Sequence, residues 1–95
     1  MDTKQRTLLK SKAQVIEPVV FVGREGVTDA VAESLTQALN ARELVKITVL
    51  ESCGEPLEET ALKLSRKTHS EVVQTIGRKI VLYKRSDKHG FAHLI

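Results

Sequence analysis

The chain has 95 residues, of which 41% are hydrophobic and 28% charged, with a formal net charge of +3. This length allows one modest core, and the composition is that of a folded chain rather than a disordered one. No apolar run approaches the ~20 residues of a membrane span, and MDTKQRTLLKSK holds no signal-peptide stretch, so we predict a cytoplasmic protein. Cys53 is the only cysteine, which excludes an internal disulfide and fits a reducing compartment.

Basic residues concentrate at the two ends of the chain and acidic residues in the middle. The first twelve residues hold four basic side chains against one acid, and residues 78–88 hold five against one. If the two ends meet in the fold, they form a basic face that suits a polyanion. The alternative is that both ends are simply solvated.

The N-terminal third predicts a helix followed by a strand. Residues 3–13 form the helix, capped by Asp2 or Thr3, with Gln5 near capping-box spacing. Pro18 then begins a short strand, PVVFV, because proline is tolerated at the first residue of a strand. The apolar run predicts that this strand is buried on both faces.

A second helix and a second strand follow. Thr28 is a favourable N-cap, and the helical spacing of apolar residues predicts that the helix ends near Arg42. ELVKITVL alternates as a strand does, so its two faces should carry Val45, Ile47 and Val49 on one side and Lys46 and Thr48 on the other.

The last segments predict a third helix and a hairpin. The loop ESCGEP places Pro56 at the first helical position, with two glutamates in the first turn. EVVQTI and KIVLYKR are strands joined by Gly77–Arg78, a two-residue link typical of a type II′ turn. We therefore predict an α/β fold, a single compact domain of order α-β-α-β-α-β-β with a four-stranded mixed sheet covered by helices. Its core spans about residues 3–85, and residues 86–95 form a tail.

A G-x-x-G pattern lies where the first predicted strand meets the second helix. Gly23 and Gly26 allow a tight turn and let a phosphate approach the main chain, whose amides at a helix start attract anions. Arg24 adds a positive charge, which Glu25 partly opposes. The alternative is that the glycines serve only the geometry of the connection.

The remaining candidate residues point away from catalysis. Tyr83 could stack on a base or belong to the core. Cys53 has no apparent base or orienting group, as a nucleophile would need. His89 and His93 are separated by Gly90 in the tail and do not argue for a metal site. We predict no catalytic residue, no metal and no cofactor.

Several of these segments, in this order, resemble the CRM domain, an RNA-binding family named for chloroplast RNA splicing and ribosome maturation. The match is especially close to its stand-alone bacterial members of the YhbY type. It covers about residues 6–85 and rests on VGREGVT, ARELVKITVL and TIGRKIVLYKR. One departure is THS at residues 68–70, where many members carry a Thr-Gly-Gly-like step.

The resemblance implies a fold similar to the C-terminal domain of bacterial translation initiation factor three. It implies RNA as the partner, in particular ribosomal RNA of large-subunit precursors. The lack of a long apolar run and the scattered basic residues lead us to expect no membrane and no small-molecule substrate. Carried onto this chain, the RNA contacts are the loop residues Gly23, Arg24, Glu25 and Gly26, with the flanking basic candidates Lys4, Arg6, Lys10, Lys12, Arg78, Lys79, Lys84 and Arg85.

These assignments require that the first helix, the glycine pair and the cations of the hairpin converge on one electropositive surface. The hairpin cations have an alternative role as a charged turn that protects a sheet edge. A rival function is a protein–protein module that docks on a ribosomal protein or assembly factor through its acidic helices. A small phosphorylated ligand would also suit the loop, although scattered basic residues favour a polymer.

Overall fold

A computed structural model describes residues 1–85 and contains three helices and four strands. In chain order they are α1 (Thr3–Ala13), β1 (Val20–Val22), α2 (Asp29–Arg42), β2 (Leu44–Val49), α3 (Leu57–Thr68), β3 (Glu71–Ile76) and β4 (Lys79–Tyr83). The predicted order is confirmed. The predicted tail, with its two histidines, lies outside the described residues.

Local capping explains where the helices begin. The Asp2 carboxylate accepts from the Gln5 amide at 2.8 Å and the Gln5 side chain accepts from the Asp2 amide at 3.1 Å, which is a capping box. The Thr28 hydroxyl caps α2 by accepting from the Val31 amide at 3.1 Å. Pro56 is the N-cap of α3 rather than its first helical residue, and the two glutamates of the first turn complement the helix dipole.

The four strands form one mixed sheet in the order β1-β2-β4-β3. β1 runs parallel to β2, as a strand–helix–strand unit requires, while β4 is antiparallel to both of its neighbours. In the link between β3 and β4, Gly77 has a φ of 58° and Arg78 does not have a positive φ. This combination agrees with the predicted type II′ turn.

Helices cover the two faces of the sheet unequally. On one face, α2 and α3 bury the larger core, in which Leu35, Leu39 and Leu64 pack on the alternating apolar residues of β1, β2 and β4. On the other face, α1 places Leu9 and Ala13 against a smaller cluster formed by Leu44, Val73, Val81 and Tyr83. Burial of a leucine side chain stabilises the folded state by about 1.5–3 kcal/mol relative to leaving it exposed. The helices and the strands therefore both depend on these contacts for their stability.

The prediction that the first strand is buried on both faces is wrong. Val20 and Val22 are buried, but Phe21 between them is 56% exposed. The reason is that α1 packs over β2, β3 and β4 and leaves the edge strand β1 uncovered on this face. The strand also begins at Val20 rather than at Pro18. Part of the sheet therefore faces the surface.

Candidate nucleic-acid interface

The G-x-x-G segment forms a tight turn between β1 and α2. The Gly26 amide donates to the Gly23 carbonyl at 2.9 Å, and Gly26 has a φ of 70°. That backbone conformation is unfavourable for any residue with a Cβ atom, so Gly26 is required by geometry. Gly23 differs, since a Cβ there would make only ordinary contacts, the nearest at 3.6 Å to Leu50.

The same turn leaves main-chain donors available. Within residues 1–85, the amides of Arg24, Glu25 and Val27 have no hydrogen-bond acceptor. The side chains of Arg24 and Glu25 are both exposed. An anion that approaches the turn therefore meets unpaired N–H groups and one guanidinium, opposed by the carboxylate of Glu25 and by that of Glu55 beside Gly26.

Two lysines of α3 lie beside this loop, and the sequence analysis missed both. Lys67 Nζ is 3.3 Å from Asp29 Oδ1, at the start of α2. Lys63 Nζ is 2.8 Å from Glu55, whose Oε1 is 3.6 Å from where a Cβ on Gly26 would stand. The hydrogen bond to Glu55 raises the pKa of Lys63, so its charge is maintained. Their spacing of four residues on one helical stripe was the available signal.

The hydrogen bonds of Arg78 show that the hairpin turn lies at the same end of the sheet as the glycine loop. Its Nε and Nη2 atoms donate to the carbonyls of Val49 at 2.9 Å and Leu50 at 2.6 Å. The Leu50 amide in turn donates to the carbonyl of Val22, immediately before Gly23. Arg78 therefore holds the connection after β2, in addition to any contact it makes with a ligand.

Arg6 is also engaged within the fold. Its Nη1 atom donates to the carbonyls of Val72 at 2.8 Å and Val73 at 3.0 Å. The pairing of β3 with β4 shifts register between Val72 and Gln74, and such bulges leave main-chain groups unpaired. Arg6 satisfies these carbonyls and ties α1 to β3.

Lys10 and Lys79 meet in a groove beside α1. This groove has a volume of about 200 Å³ and is also lined by Lys46, which the sequence analysis assigned to this face of β2 but not to a site. A second groove of about 300 Å³ lies at the C-terminal end of α1, where Lys12 and Arg42 accompany Lys46 and one acid, Glu17. Lys46 lines both grooves and joins them into a basic surface.

The expected convergence of all cations is only partial. Lys10 and Lys12 line these grooves and the hairpin turn lies at their edge, but Lys84 is far from the hairpin turn. The Lys84 amide donates to the Glu43 carbonyl at 2.9 Å, at the opposite end of β2. At ~3.3 Å per residue, Lys84 stands about 17 Å along the strand from Lys79, and Arg85 follows it. Lys4 is exposed in the first turn of α1.

The other candidate side chains are structural. Tyr83 is 6% exposed and belongs to the core beneath α1, and its burial raises the pKa of the phenol. Cys53 is buried, with Sγ 4.0 Å from the Thr60 hydroxyl. In residues 1–85 no three metal-ligating side chains cluster, and none of the helices there is both long and apolar enough to cross a bilayer.

Comparison with known proteins gives this geometry a context. The sequence matches the CRS1 / YhbY (CRM) domain over residues 1–84. It is 43% identical over 86 residues to a protein of Bacillus subtilis named "Probable RNA-binding protein YqeI", covering 90% of each chain. It is 36% identical over 88 residues to an "RNA-binding protein" of Haemophilus influenzae, covering 93% of this chain and 89% of that one.

A solved structure agrees with the fold. The solution structure of the hypothetical protein SAV1595 from Staphylococcus aureus, described as a candidate RNA-binding protein, superposes with a TM-score of 0.80 and 35% identity. The match covers 94% of this chain and 93% of that one. The family match covers residues 1–84, and the relatives span nearly all of the sequence. The chain therefore belongs to the CRS1/YhbY (CRM) domain family.

Proposed function

We propose that the protein binds RNA, specifically ribosomal RNA in precursors of the large ribosomal subunit, and assists assembly in the cytoplasm without catalysing a reaction. Family membership supports the choice of RNA, since its relatives from Bacillus and Haemophilus carry RNA-binding names. The observation that carries the proposal is the glycine loop with unpaired amides at the edge of a lysine-lined sheet face.

Binding would be driven by shape and charge. The loop amides and Arg24 receive a phosphate, and the grooves under α1 extend the basic surface. Lys63 and Lys67 would add positive charge beside it only by leaving Glu55 and Asp29, with which they are paired. Phosphate contacts position an RNA but do not read its bases, so sequence preference should be low. Glu25, exposed in the same turn, would have to point away from the bound phosphate.

Replacement of Arg24 tests the loop. Arg24→Ala should weaken RNA binding by about 1 kcal/mol or more, because a charge-assisted phosphate contact is lost. The circular dichroism spectrum and melting temperature should stay unchanged, since Arg24 is exposed. Arg66→Ala is a matched control, because Arg66 is an exposed arginine one helical turn beyond Leu62, on the β3 side of α3. Equal affinities for Arg24→Ala and Arg66→Ala would remove the main support for the loop.

A protein–protein module is the second candidate. Glu33, Glu58 and Glu59 are exposed on α2 and α3 and could dock on a basic ribosomal protein or assembly factor. Association of the protein with pre-ribosomal particles, measured before and after RNase digestion, distinguishes RNA binding from protein docking. RNA binding predicts that complete RNase digestion releases the protein, whereas retention after digestion favours the module.

A further inference from the structure

The part of the sheet that α1 leaves uncovered presents two rows of side chains. Residues paired across neighbouring strands project from the same face, so the strand register defines these rows. We call them the open sheet face. The first row is Phe21, Thr48, Lys79 and Ile76, and the second is Lys46 and Gln74 on either side of Val81, which α1 buries.

Phe21 is the only aromatic side chain that the described residues expose on this face. It is 56% exposed, while Val20 and Val22 on either side of it are buried in the larger core. Its backbone is fixed by pairing with Thr48 of β2. The ring is therefore held in place by the strand yet contributes little to either core.

The charge at the far end of the first row, two strands from Phe21, is one-sided. The groove next to this row is lined by Lys10, Lys46 and Lys79 and by no carboxylate. Lys46 and Lys79 are diagonal neighbours across β2 and β4, a placement that brings the two residues within about 7–8 Å. Three cations gathered without an acid repel one another in the free protein, and a polyanion relieves that repulsion.

We propose that the open sheet face binds a single-stranded segment of the RNA, with one base stacked on Phe21 and the adjacent phosphates held by Lys10, Lys46 and Lys79. This inference rests on the proposed function. An aromatic ring on the same sheet face as a positively charged groove is the combination by which proteins hold single strands with little sequence preference. A duplex keeps its bases paired and stacked, so this mode selects unpaired RNA.

Fluorescence anisotropy with two labelled probes of equal length tests the proposal. One probe is a short oligoadenylate, and the other is an abasic oligoribonucleotide with the same number of phosphates. Phe21→Leu, which removes the ring but keeps an apolar side chain, should weaken oligoadenylate binding by about fivefold or more and leave the abasic probe unaffected. Phe21→Tyr should retain full affinity for both, because it keeps the ring.

The lysines should behave differently from the ring. The double variant Lys46→Gln/Lys79→Gln should weaken both probes and reduce the magnitude of the slope of log K against log salt by about 1.4, that is, ~0.7 for each lost phosphate contact. Leu62→Ala and Arg66→Gln are the matched controls. They remove an exposed apolar and a basic side chain from α3, on the other face of the sheet, and should change neither probe.

The outcomes separate this inference from the proposed function. If the wild type binds oligoadenylate but Phe21→Leu and the double lysine variant bind it equally well, the open sheet face is not the site, although RNA binding stands. If the wild type binds no RNA, both fail. Binding to ribosomal proteins is measured after RNase has removed their RNA. If the double variant keeps its RNA affinity but loses binding to these proteins, the face belongs to a protein partner and the inference is overturned.

Discussion

Gly26 and Gly54 differ in what the backbone demands of them. Gly26 has a φ of 70°, whereas Gly54 is exposed, has no positive φ, and has nothing within 4 Å of where a Cβ would stand. Gly26→Ala should therefore lower the free energy of unfolding by about 1 kcal/mol, and Gly54→Ala should leave it unchanged or raise it slightly. Urea unfolding followed by circular dichroism measures both. Equal stabilities would contradict the turn geometry.

Tyr83 reports on the core under α1. Burial raises the pKa of this phenol above its ordinary value of 10.0, because the charged phenolate is disfavoured there. The neutral form is favoured in the folded state, so this contribution to stability is complete below the unfolded pKa and is lost as pH rises through the folded value.

Near-ultraviolet absorbance can follow this titration directly, since Tyr83 is the only tyrosine and the chain has no tryptophan. The phenolate should appear at higher pH in the folded protein than in urea. Identical midpoints in the two states would show that Tyr83 is solvated and that α1 does not cover it.

Whether the role of a single residue could be predicted from the sequence depends on whether its contacts are local. The tight turn at Gly23–Gly26 was readable because the pattern and its position between strand and helix are both local. Arg6 was predicted as an RNA contact, but its guanidinium donates to carbonyls 66 and 67 residues away. No spacing rule reports a contact of that kind, and the same applies to the bonds from Arg78 to the end of β2.

At the level of elements, α3 ends in a strained conformation. His69 is the C-cap of α3 with a φ of 55°, in the left-handed region where helices commonly place glycine. His69→Gly should therefore raise the free energy of unfolding by about 0.5–1 kcal/mol, because glycine adopts this conformation without a steric penalty. This is also the position at which the sequence carries THS in place of a Thr-Gly-Gly-like step.

His69→Ala provides the comparison for that substitution in thermal or urea unfolding. Alanine retains the Cβ atom, so this variant should be no more stable than the wild type. A Gly variant that is no more stable than the Ala variant would contradict the claim that the left-handed backbone at residue 69 is strained.

Most elements were predictable from the sequence because their signals are local. The capping box begins α1 where predicted, and the bounds of α1, α2 and β3 agree with the sequence patterns. The environment of β1 was not predictable, since its burial depends on which strands α1 covers. That choice is made by Leu9 and Ala13 packing on residues far along the chain. The exposure of Phe21 follows from it.

For the molecule as a whole, strand order decides which charges meet. The order β1-β2-β4-β3 puts Lys46 and Lys79 on adjacent strands and brings the hairpin turn to the end of the sheet that carries the glycine loop. The basic ends of the sequence suggested such a surface, but they did not reveal Lys46, which lies in the middle of the chain. They also did not reveal Lys63 and Lys67, which lie beside the glycine loop on α3. Folding also carries Lys84 and Arg85 away from the hairpin turn.

The salt dependence of RNA binding tests the central claim most directly, namely that this surface binds RNA through its phosphates. The measurement is the affinity of the wild-type chain for a single-stranded ribosomal RNA segment over a series of salt concentrations. If about five phosphates are neutralised, log K should fall against log salt with a slope of about −3.5. A nearly flat dependence would contradict the account.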